Sequence, residues 1–181
     1  MAVTTEPRKI QKNHPVWAVY DLLRTTRLNV RYYTAKTERT KQKDRWIEII
    51  LAIVVPSSAL AGLPLWQSQY GIYVWSTLTV IASLLAIVKP FLKLTESVQA
   101  YEAVVSRLRA IEGDLVELQN EIFQQRRYDQ RMQERLSLIV RSMGRVQEIE
   151  PIEPIDEELR RTIFDQIRRE SPNESFYVPE V

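Results

Sequence analysis

The chain has 181 residues and a formal net charge of +2. That length suits one domain with appendages, and that charge points to no class of partner. Cysteine is absent and histidine occurs once, which excludes disulfides, thiolate metal sites and a zinc cluster of the usual Cys/His kind. The four glycines are scattered and helix formers dominate both flanks, so the expected fold class is all-α rather than β-rich. A mean hydropathy of -0.25 hides a sharp split. The middle of the chain is almost free of charge, and both ends are dense in Arg, Lys, Glu and Gln.

Residues 1–14 read as a polar lead, without the continuous apolar run of a signal peptide. From Pro15 a helix is expected. Val16, Tyr20, Leu23, Val30 and Tyr33 recur at helical spacing, with Arg24, Arg27 and Arg31 between them. Residues 34–45 continue as a polar, mostly basic stretch. The segment 1–45 is thus expected to be a polar lead and an amphipathic helix on the cytoplasmic side.

Two apolar runs follow. WIEIILAIVVPSSALAGLPLW, residues 46–66, carries one charge, Glu48, and is bracketed by Trp46 and Trp66. As a helix it would extend roughly 31 Å, against a hydrocarbon core of about 30 Å. YGIYVWSTLTVIASLLAIV, residues 70–88, carries none. With only Gln67, Ser68 and Gln69 between them, the two runs predict a transmembrane helical hairpin over 46–88. Lys36, Arg39, Lys41, Lys43 and Arg45 precede it, and Lys89 and Lys93 follow it. The positive-inside rule then places both termini in the cytoplasm, with two spans in the membrane.

Polar marks inside these runs admit two readings. Pro56 frees a backbone carbonyl, and Ser57 and Ser58 stand ready to satisfy it. Ser58 with Gly62 forms a small-xxx-small pair for close helix contact. In the second run Ser76, Thr79 and Ser83 share one face. These side chains either pack helix on helix or line a pore. Glu48 suits a helix-end pair with Lys43 or Arg45, or a charged ring. Lys89 and Pro90 suit an interface anchor with a kink, or a gate hinge.

Beyond Pro90, over 89–148, a long cytoplasmic helical region is expected, continuous with the second span. Leu94, Val98, Tyr101, Val105 and Leu108 step by four, three, four and three. After a phase slip Ile111, Leu115, Leu118 and Ile122 resume the rhythm. This coiled-coil-like seam could assemble subunits, or fold back on the helix of 16–45 within one subunit. At 124–129 both a turn and a continuation fit. Met132, Leu136, Ile139, Val140 and Met143 mark another apolar stripe, ending near Gly144.

EIEPIEPIDEEL, residues 148–159, repeats Glu-Pro-Ile and predicts an extended linker within 149–181. Asp156 is the expected N-cap of a short helix to about Glu170, with Leu159, Ile163 and Ile167 on one face. SPNESFYVPEV reads as a disordered or peptide-like tail.

Catalytic chemistry has little to stand on. His14 lies beside Pro15 and reads as a loop histidine, so no nucleophile–histidine–acid set is expected. No glycine-rich phosphate loop occurs. Glu157 and Glu158 are helix-start charges. The basic residues of 39–45 read as a lipid-facing collar rather than a nucleic-acid site. No enzyme activity, cofactor or metal is expected, and no nucleic acid.

Three motifs together resemble the SLATT family of two-transmembrane domains from bacterial conflict systems. They are YYTAKTER at 32–39, the Pro56-Ser57-Ser58 step, and LTESVQAYEAVVSRLRAIEGDL at 94–115. The resemblance covers roughly 20–123. It implies a membrane-perturbing or pore-forming effector that answers a nucleotide signal sensed by a partner. The expected function is a homo-oligomeric, ion-conducting membrane protein with cytoplasmic helices for assembly and gating. The alternative is a non-conducting anchor or scaffold whose helices dock cytoplasmic proteins. The expected partners are the lipid bilayer, further copies of the chain and a cytoplasmic protein.

Overall fold

The computed structural model describes residues 14–54, 69–151, 153–172 and 176–179. They form five helices and no strand: α1 Val16–Val54, α2 Gln69–Leu92, α3 Leu94–Gln125, α4 Gln130–Gln147 and α5 Glu157–Glu170. The all-α expectation holds. The chain divides into two compact units, Met1–Thr34 with Ala103–Val181, and Ala35–Glu102. The boundaries fall inside α1 and α3.

In the first unit α1 begins where His14 Nδ1 accepts the amide of Val16 at 3.2 Å, satisfying an orphan donor of the first turn. Val16, Val19, Tyr20, Leu23 and Val30 are buried on one stripe of α1. Thr26 is buried beside them, its hydroxyl donating to the carbonyl of Leu22 at 2.8 Å. Leu108, Leu115, Leu118 and Ile122 of α3 complete the centre of this core.

α3 stops at Gln125 because Arg126 takes a left-handed φ of 53°, which breaks the helical hydrogen-bond ladder. Asp129 then caps α4, accepting the amide of Met132 at 3.0 Å. The chain therefore turns at 126–129 rather than continuing. α4 runs past Gly144, and its buried residues are Met132, Ile139 and Val146, while Val140 is exposed. Asp156 caps α5 as expected, accepting the amide of Leu159 at 3.0 Å. Glu157 and Glu158 in its first turn and Arg168 and Arg169 in its last complement the helix dipole. Ile163 and Ile167 are its buried residues.

Residues 176–179 pack onto this core instead of standing free. Phe176 stacks on Tyr20, and the Tyr20 hydroxyl donates to the carbonyl of Tyr177. Pro179 is buried. The reading of this segment as a free tail is corrected for 176–179, because aromatic stacking and a long-range hydrogen bond fasten it.

The second unit holds the last part of α1, all of α2 and the first turns of α3. α2 and α3 are separate helices. Lys93 between them has a left-handed φ of 45°, so the expected continuous helix is broken there. Lys41 pairs with Glu102 at 2.7 Å, and the ammonium of Lys36 lies over the Tyr101 ring.

The two-span membrane assignment is also corrected. Among the described residues no helix is long and apolar enough to cross a membrane. Of the first expected span, 46–66, residues 46–54 form the end of α1, and 55–66 lie outside the described residues. Glu48 lies within that described part. In α2 the apolar residues share the helix with Ser76, Thr77, Thr79 and Ser83, and Lys89 and Pro90 lie near its end. The conducting reading rests on that two-span assignment. The placement of both termini in a cytoplasm, which followed from the spans, goes with it.

Candidate functional site

The residues singled out in the sequence fall into three groups. Pro56, Ser57, Ser58 and Gly62 lie outside the described residues. Ser76, Thr79 and Ser83 lie on α2 with exposed side chains, and Ser83 Oγ donates to the Thr79 carbonyl at 2.8 Å. In the seam, Leu94 and Val98 are half-buried. Tyr101, Val105, Leu108, Leu115, Leu118 and Ile122 are buried within this one chain. Of the two uses open to that seam, burial inside the subunit is the one observed for these six.

Glu48 and Lys89 come together. Lys89 Nζ lies 2.9 Å from Glu48 Oε1 and 3.5 Å from Asp44 Oδ1. The hydrogen bond to Glu48 raises the Lys89 pKa above its ordinary value. Glu48 therefore pairs with a residue 41 positions away, not with Lys43 or Arg45. Pro90 lies in the last turns of α2. The pair links the end of α1 to α2 inside the second unit.

Ala82 is 5% exposed and lies seven residues before Lys89, on the same stripe. The opposite stripe is bare. Tyr73, Val80, Leu84, Ile87 and Phe91 are 68%, 59%, 57%, 63% and 81% exposed. With exposed Thr77 they step by four and three alternately, which is an a/d heptad seam. It covers about 27 Å of helix. Ile81 and Val88 widen it on one flank and are also exposed. All of these except Phe91 fall in the expected second span, 70–88, and their heptad spacing is legible in the sequence.

No family model, curated protein or solved structure matches the chain. Of the motifs behind the expected SLATT resemblance, YYTAKTER lies in α1 and the 94–115 motif in α3. Among the described residues no group of three or more His, Asp or Glu is placed to hold a metal ion. The one histidine is engaged at the start of α1, where its ring also meets Tyr128 edge-on at 6.2 Å.

Proposed function

We propose that the chain is a non-catalytic helical assembly module that pairs with further copies of itself along the a/d face of α2. The first unit would serve as its folded head. The observation that carries this reading is the row of exposed apolar side chains from Tyr73 to Phe91 at heptad spacing. Apolar patches of this extent are rare on surfaces that meet only water. Heptad spacing is matched best by another helix with the same spacing, and a second copy presents one. Buried Ala82 and the Lys89 ion pairs lie on the opposite side of α2, which leaves this face open to such pairing. This reading keeps the expected self-assembly of the chain and leaves out the membrane spans.

The absence of cysteine supplies the test. Single cysteines are introduced at a and d positions, as Val80→Cys, Leu84→Cys and Ile87→Cys. Ala86→Cys provides an exposed position off the seam. A disulfide requires Cα atoms within about 7 Å. The seam variants are expected to give cross-linked dimers on mild oxidation, and Ala86→Cys to give little. Equal cross-linking at all four positions overturns the reading. So does partition onto lipid vesicles with no cross-link at any of them.

A further inference from the structure

The first unit contains a groove of about 810 Å³ between α1 and α5. We infer that it is a binding site for a small phosphate ester with a flat apolar body. Its size falls within the range of small-ligand sites, about 300–1,000 Å³. Arg24, Arg160, Arg161 and Arg168 line it, and Glu157 is the one acid among its described lining residues.

These arginines differ from others in the same unit. Arg27 pairs with Glu112, Arg31 with Glu170, and Arg135 with Glu117 and Glu121. Among the described residues the ion pairs do not use Arg160, Arg161 or Arg168. Glu157, Arg160, Arg161, Phe164 and Arg168 follow one another at helical intervals, so α5 presents them along one side. The guanidinium fork matches phosphate oxygens two at a time, and is more weakly hydrated than an ammonium. A surplus of such forks around one cavity favours an anion.

The apolar half of the argument is Phe164. It lines the groove with Leu28 and Ile167, and stays half-exposed while Leu28 and Ile167 are buried. An exposed aromatic ring between arginines offers a face to a planar group. Arg24 adds a polar mark. Its Nη2 donates to the Ser171 carbonyl, and its guanidinium carbon lies 4.7 Å from the centre of the Phe176 ring. Its Nε is buried with no hydrogen-bond partner, although buried donors are normally satisfied. Arg24 thus fixes the groove wall.

The test is calorimetric titration of the full chain at low salt with phenyl phosphate, inorganic phosphate and phenol. Phenyl phosphate is expected to bind saturably and at least tenfold tighter than inorganic phosphate, and phenol not to bind. The Arg160→Gln/Arg161→Gln double variant is expected to weaken binding tenfold or more with an unchanged melting temperature. Arg141→Gln, an exposed arginine of α4 away from the groove, should bind as the parent does. A second arm uses vesicles with and without phosphatidic acid. Binding that needs phosphatidic acid and is lost in the double variant assigns the phosphate to a lipid headgroup instead of a soluble ester. Three results overturn the site. They are no saturable binding in either arm, equal affinity for phenyl and inorganic phosphate without lipid binding, and equal loss in Arg141→Gln.

Discussion

Tyr20 and Phe176 stack with ring centroids 4.3 Å apart and planes 22° from parallel, across 156 positions of sequence. Trp17 meets both rings edge-on. Tyr177 adds an edge contact to Phe123 and lies beneath the guanidinium of Arg126. One short segment at the chain end thus engages α1, the end of α3 and the turn after it. Such a clasp closes a long loop, and it must offset the ordering entropy of that loop through contact at its tip. Phe176→Ala removes the stack and the cation–π contact with Arg24. It is expected to destabilise the first unit by about 1–3 kcal/mol. Urea unfolding followed by near-ultraviolet circular dichroism measures this, and an unchanged midpoint would show that the clasp contributes nothing.

The same tyrosine makes an alkaline prediction. Burial, and then the neighbouring Tyr177, push the Tyr20 hydroxyl from 10.0 up to about 12. The raised pKa belongs to the folded state, so the folded form holds its proton where the unfolded form has lost it. Stability is therefore complete below about pH 10 and falls as pH rises toward about 12. The melting temperature is expected to drop across that window. Tyr20→Phe should flatten the drop, at a cost near neutral pH of about 1 kcal/mol for the lost hydrogen bond to the Tyr177 carbonyl. A variant that keeps the full alkaline slope would assign the slope to other groups.

Two leucines of similar periodicity should respond in opposite ways. Leu118 of α3 is fully buried, and Leu84 of α2 is mostly exposed. Leu118→Ala opens a cavity and is expected to cost about 2–5 kcal/mol of unfolding free energy. Leu84→Ala removes a side chain that touches little within its own chain. Its effect on the first unit's unfolding midpoint should stay within about 0.5 kcal/mol. Its effect should appear instead in sedimentation, as a shift toward smaller species. Equal losses of stability would mean that the α2 face is covered within the chain.

Local chemistry carried much of the architecture. Asp156 as N-cap, the extent of α5 and its Ile163 and Ile167 face follow from a side-chain oxygen, a dipole and a 3.6-residue period, all written within 15 residues. The apolar rhythm of α3 follows from the same short-range rule, and so do the helical start of α1 and the exclusion of a β-rich fold. What local chemistry could not decide was which partner each apolar face meets. Periodicity marks a face and is silent about what covers it. The α3 seam from Tyr101 to Ile122 is satisfied inside the chain, while the α2 seam of equal regularity stays exposed. Lys89 finds Glu48 and Asp44 across dozens of residues, and Phe176 finds Tyr20 across most of the chain. The breaks at Lys93 and Arg126 are left-handed turns on residues that do not favour them. By spacing alone the groove arginines are helix-surface charges, and only the packing of α5 beside α1 gathers them around one cavity. Sequence by itself determined which segments become helices and which of their faces are apolar, because those depend on neighbours within a few turns. The tertiary structure alone decided which faces meet, which charges pair and where a cavity opens, because those depend on residues that only folding brings together.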